Sequence, residues 1–344
     1  MKCMTGVKRY DSLDIMKFIL CFLVVAIHSN PLDDISPILN RLFIGIDRLS
    51  VPLFFIASGF FLFKRDLTKS NVSKYIKRIG GLYISWFIVS IPFTYYNRFV
   101  ITEGTLVIKL FLFIKSFFFT STFSGSWFLA SSIFCAVIFF IVYSLFARSG
   151  DTIILVLSIV SSLLCAFSSG WGNLIDVVGL RDFYNKLVFY FANPYTSIIA
   201  GIPYFAMGKW FADNEDHVKM PPWPLTSLLL ACLLFEVWFT YSRQLTYTTD
   251  SFFLLFPCAF CIFIIFLKMD VHLKNSIELR RISTIVFFSH FIWLFLIEFI
   301  EFQFECVIPN IVKYFAAVSL SLFASLIILS LSKRPKLSIL KYLY

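Results

Sequence analysis

Asp14, Lys17 and His28 all lie in one apolar stretch, YDSLDIMKFILCFLVVAIHSN at 10–30. Ionisable groups inside such stretches are costly and usually mark a pathway or a site. On an α-helix, the step from Lys17 to His28 turns through about 1100°. This leaves the two side chains within about 20° of one face and roughly 16 Å apart along the axis. Asp14 and Cys21 fall within about 40° of the same stripe. One helix face thus offers an ion pair at one end and an imidazole at the other. Imidazole is the side chain best suited to take and return a proton near neutral pH. The plainer alternative is that Lys17 extends its amine toward the interface, Asp14 caps or pairs with it, and His28 caps the far end.

Three further stretches carry chemistry. The segment KRDLTKSNVSKYIKR at 64–78 sets six cations against Asp66 alone. That excess suits a phosphate-bearing ligand and equally suits anionic lipid. IVFFSHFIW at 285–293 puts His290 in mid-helix, either as a hydrogen-bonded structural residue or on the same polar path as His28. GSWFLASS at 125–132 places Trp127 at a helix start, as a membrane-belt residue or as a stacking surface for a sugar. Ser58 and Gly59, in VPLFFIASGFFLF, interrupt an apolar helix where small residues allow close packing.

The elements that must position these groups follow from composition. Of 344 residues, 59% are apolar and only 15% charged, with 45 Phe and a mean hydropathy of +0.84. A soluble globule could not hide that much apolar surface, and a disordered chain would not carry it. The apolar runs are long rather than alternating, which favours spanning helices over barrel strands. The expected fold is an all-α polytopic transmembrane bundle forming a single domain over 1–344. Ten spans are expected, at 12–29, 43–63, 79–100, 126–147, 152–169, 195–213, 224–241, 251–268, 282–301 and 308–331. The run 105–121, with Lys109 and Lys115, reads as interfacial or re-entrant.

With the termini on the cytoplasmic side, that side takes twenty of the 30 Lys and Arg, Lys2 and Lys8 included. The other side takes nine, Arg98 among them, and Lys17 lies within the first span. This is the positive-inside bias. The formal charge of +10 therefore reflects topology and contact with membrane lipids, not nucleic-acid binding. The first span has no cleavage site after it and is expected to stay as an anchor. The eight cysteines suggest neither a disulfide framework nor a metal site. Cys258 and Cys261 form a CxxC, but within an apolar run and without a second pair.

These stretches together resemble the acyltransferase 3 family of bacterial membrane acyltransferases. The basic residue, ten residues and His of the first span look like the family's opening motif, and VPLFFIASGF like its second. SWFL at 126–129, YFAMG at 204–208 and FFSH at 287–290 resemble later ones. Lys17 stands where the family usually has Arg, which keeps the charge but not the planar fork. Gly81 stands where a second Arg often follows. The resemblance implies transfer of an acyl group, commonly acetyl, from cytoplasmic acetyl-CoA to a hydroxyl of a cell-surface glycan, glycolipid or lipid-linked saccharide. It implies a multi-pass protein of the inner or plasma membrane. Lys74, Lys77 and Arg78 would hold the CoA phosphates, with Lys17 and Asp14 lining the entrance. His28 would act as base or as a transient acyl carrier. Ser58, Trp127, His290 and Arg48 would line the acceptor side. The competing expectation is a proton-coupled transporter, for which inverted repeats would be the sign; none is visible in the sequence.

Overall fold

The computed structural model describes residues 9–101 and 103–344, with backbone only at 97, 98 and 101. Lys2, Lys8 and the Arg98 side chain, counted above, lie outside the described residues. The described chain forms fourteen α-helices and no strand. They are α1 (Asp11–Ser29), α2 (Pro37–Asp47), α3 (Ser50–Phe63), α4 (Lys69–Tyr95), α5 (Leu106–Phe119), α6 (Ser126–Leu145) and α7 (Gly150–Phe167). The second half adds α8 (Leu174–Val177), α9 (Arg181–Tyr190), α10 (Ile202–Asn214), α11 (Trp223–Ser242), α12 (Leu255–Lys268), α13 (Ser276–Phe304) and α14 (Asn310–Leu331).

Among the described residues, seven stretches are long and apolar enough to cross a membrane: α1, Pro37–Phe63, α6, α7, α11, α13 and α14. The remaining expected spans fall on α4, α10 and α12. α4 is long but begins with Lys69, Lys74, Lys77 and Arg78, whereas α10 and α12 have 13 and 14 residues. A helix needs about 20 residues to cross a bilayer unaided. The outer faces are those of a helical membrane bundle. α7 exposes Leu155, Val156 and Ile159, and α14 exposes Phe315, Phe323 and Leu326.

Local signals set the helix ends. Asn30 adopts the left-handed conformation (φ 45°) and closes α1 with its N–H on the Ala26 carbonyl. The Ser36 hydroxyl accepts from the Leu39 N–H ahead of Pro37, and the Thr68 hydroxyl accepts from the Asn71 N–H. Thr68 therefore starts α4 ten residues before the expected span, and most of the basic segment is helical. Inside the bundle α1 lies along α13, and α3 lies along α10. The α3–α10 contact is backbone to backbone. A Cβ on Gly59 would sit 2.6 Å from the Phe205 carbonyl oxygen, and one on Gly208 would overlap the Ile56 carbonyl. Gly59 thus serves the close packing anticipated for it.

Candidate active site

A cleft of about 1240 Å³, open to solvent, lies among α1, α3, α4, α6, α13 and the segment after α14. Five cations line it: Lys17, Lys77, Arg78, Arg280 and Lys341. No Asp or Glu side chain lines it among the described residues. Asp14 is buried on the neighbouring turn of α1, with Arg280 Nη1 at 3.8 Å from its Oδ1. The expected Asp14–Lys17 pair does not form within 4.0 Å; the Lys17 ammonium instead lies 4.5 Å from the centre of the Phe61 ring. Ser58, Ser283 and Thr284 add hydroxyls to the walls. The Pro335–Leu343 segment is fixed from below, where Trp86 Nε1 donates to the Leu343 carbonyl at 3.1 Å.

α1 and α13 run together from this cleft to a pair of imidazoles. Phe54, Phe128 and Phe287 meet edge-on or tilted, with centroids 5.4–6.1 Å apart, and form the cleft's apolar end. About one turn further along α13, the His290 ring lies 5.5 Å from that of His28, tilted by 31°. Phe291 touches both, at 4.4 Å from His28 and 4.0 Å from His290. His290 is 0% exposed, whereas His28 is exposed. His290 Nδ1 sits 3.1 Å from the Val286 carbonyl. A carbonyl can only accept, so Nδ1 carries the proton and the neutral ring keeps its lone pair on Nε2. That Nε2 is buried without a hydrogen-bond partner. A buried acceptor left unpaired is costly, and such groups are found where a ligand or a proton is handled. Gly125 makes room for this arrangement. It starts α6 at φ +80°, and a Cβ there would come within 2.8 Å of the Phe291 ring.

Two further cavities flank the imidazole end. One, of about 680 Å³, holds Arg48, Trp127, Tyr195 and Asp250. Arg48 sits in the break between α2 and α3, paired with Asp250 and donating to the Thr249 hydroxyl at 3.1 Å. The other, of about 790 Å³, lies between α4 and α13. It is lined by the hydroxyls of Ser90, Thr94, Thr122 and Ser124 and by Phe291 and Phe295, with no charged side chain among the described residues. The four residues expected on the acceptor side therefore separate. Ser58 lies in the cationic cleft, Arg48 and Trp127 share the 680 Å³ cavity, and His290 meets His28. Lys74 is exposed on α4 and does not line the cleft. Arg280 and Lys341 do, although the sequence reading left both out of the site. The expected span 282–301 placed Arg280 in a connecting loop, whereas α13 starts at Ser276 and carries it as a helical residue. Among the described residues, no group of three or more His, Cys, Asp or Glu is placed to hold a metal ion.

A helical membrane bundle with a cationic cleft and an imidazole pair joined by two helices defines a class, and comparison gives the family. Residues 10–330 match the acyltransferase domain family, Acyl_transf_3, so the chain belongs to it. Two proteins of Enterococcus faecalis named amino-acid racemase are 26% and 24% identical to it, over 97% and 96% of this chain. The match takes in 47% of each, so the chain spans about half the length of these relatives. No solved structure matches it significantly.

Proposed function

We propose that the protein moves an acyl group, most simply acetyl, from acetyl-CoA to a hydroxyl of a cell-envelope glycan or lipid-linked saccharide. The observation that carries this reading is the convergence of Lys17, Lys77, Arg78, Arg280 and Lys341 on one cleft whose described lining holds no Asp or Glu. Such a surface suits a polyphosphate more than a single carboxylate or a neutral ligand. With the cleft facing the cytoplasm and ten segments crossing the membrane, both termini lie inside. The phosphates of CoA rest on the cations, and the pantetheine arm extends along α1 and α13 toward His28. The acceptor approaches from the opposite side, by the hydroxyl-lined cleft whose Phe291 touches both imidazoles.

In this scheme His28 takes the proton of the acceptor hydroxyl as its oxygen bonds to the thioester carbonyl carbon. The carbon–sulfur bond then breaks, and the departing thiolate of CoA receives a proton. His290, with Nδ1–H held by Val286, offers its Nε2 lone pair to the same path. The test uses membranes that contain the intact protein or His28→Ala, with radiolabelled acetyl-CoA supplied on the cytoplasmic side. Label in envelope glycans or lipids, dependent on His28, is the expected result. Absence of label from every fraction, together with no release of CoA, would discard acyl transfer and leave a carrier.

A further inference from the structure

A second basic site lies beside the cleft, sharing Lys341 with it; its other two cations have no part in the scheme above. Between the start of α13 and the end of α14 runs a groove of about 1270 Å³. Arg281, Lys333 and Lys341 supply its charge, and Ile282, Leu326 and Leu329 its apolar wall. None of the three cations has a carboxylate within 4.0 Å among the described residues, although Glu278 also lines the groove. The Arg281 guanidinium lies 5.2 Å from the Tyr344 ring centre, which holds it at the groove's edge. The apolar wall continues up the outer face of α14, where Phe323 and Leu326 are 62% and 60% exposed. Unpaired cations at the foot of an exposed apolar helix face match the two halves of one molecule. We propose that this groove binds an anionic phospholipid, its phosphate among Arg281, Lys333 and Lys341 and an acyl chain along Leu326 and Phe323. A freely diffusing phosphate would use the cations but leave the apolar wall bare. A zwitterionic lipid would bring a cation of its own against them.

The proposal does not depend on the acyl-transfer reading, and its test measures binding alone. The protein, delipidated in a neutral detergent, is mixed with equal amounts of phosphatidylglycerol and phosphatidylcholine. Retained lipid is then counted by native mass spectrometry. The intact protein should keep phosphatidylglycerol in preference. Each cation near a membrane surface contributes roughly a fivefold change in affinity, so Arg281→Ala with Lys333→Ala should lower retention by about 25-fold. Arg281→Lys with Lys333→Arg should retain it. Neither pair touches the residues assigned to the donor cleft. Equal retention of the two lipids by the intact protein would overturn the proposal, as would undiminished phosphatidylglycerol on the alanine pair. Equal loss in the charge-conserving pair would mean that shape, not charge, was at work. Displacement by millimolar inorganic phosphate would make the groove a free-phosphate site instead.

Discussion

Replacing the two imidazoles, singly and together, separates a shared proton path from two unrelated histidines. A positioned base contributes about 10²–10⁴ in rate, which corresponds to about 2.7–5.5 kcal/mol of barrier. His28→Ala is expected to lose that full factor, because His28 is the open ring of the pair. His290→Phe keeps the ring's shape and removes both the Nδ1 bond to Val286 and the unpaired Nε2. The bond contributes about 1 kcal/mol, and the orphaned acceptor costs a similar amount, so stability should change little. Activity should still fall, because the lone pair facing the path is gone. The rings are 5.5 Å apart and share Phe291, so they should act as a unit. The double variant should then be slower than His28→Ala by no more than about twofold, far less than the product of the single losses. The assay is transfer of label from acetyl-CoA, normalised to inserted protein. His28→Ala within about twofold of the intact protein would refute a catalytic His28. Fully multiplicative losses would refute the shared path.

Three other outcomes follow from the same geometry. Arg280→Ala should raise KM for acetyl-CoA by roughly 10- to 100-fold, the worth of a charge-assisted hydrogen bond, with a smaller effect for Arg280→Lys. An unchanged KM would take Arg280 out of the donor site. Gly59→Ala forces a Cβ to 2.6 Å from a backbone carbonyl and should destabilise by about 1–3 kcal/mol, whereas Gly80→Ala, with open space around it, should be neutral or slightly stabilising. Thermal midpoints in one detergent compare the two. Outside the spans, hydrogen bonds from Arg181 Nε and Nη2, at 2.6 and 2.7 Å, hold the Asp176 carboxyl below its ordinary range. That link favours the folded 172–190 segment from the ordinary carboxylate range upward and fades as pH falls through the lowered value. Protease sensitivity there should rise on acidification, and Asp176→Asn should remove the rise; a pH-dependence that survives in Asp176→Asn would exclude this pair as its cause.

The sequence shows α1 almost residue for residue, because an apolar run of spanning length ends at Asn30 and a turn-forming stretch follows. The placing of Lys17 and His28 at opposite ends of that helix needs only the helical repeat. The cationic cleft was half visible: Lys17, Lys77 and Arg78 stand out as charges near apolar runs. Arg280 did not, because hydropathy cuts a helix where charge begins, whereas backbone hydrogen bonding carries α13 six residues further. Lys341 reaches the cleft only through the fold of the segment after α14, which no periodicity encodes. The start of α2 was hidden for a similar reason. Asn40 and Arg41 look like loop, yet the Arg41 guanidinium lies over the Tyr241 ring at 3.4 Å on another helix. The separation of Arg48 and Trp127 from His290 is likewise a fact of packing: Arg48 and Trp127 sit near helix starts and His290 in the middle of α13, and a linear reading does not show which of them meet.

The glycine contact between α3 and α10 has a bearing on motion. At Gly59 and Gly208 the two backbones meet with no side chain between them, so α3 and α10 are expected to move together as one stiff beam. Any widening that admits a substrate then falls to α4, whose hydrogen-bond ladder is broken by Pro92 and loosened by the π-helical turn at Tyr96–Ile101. Spin labels on α3 and α10 should keep their spacing when acetyl-CoA is added, while a label on α4 shifts against both. The opposite pattern would place the hinge in the beam.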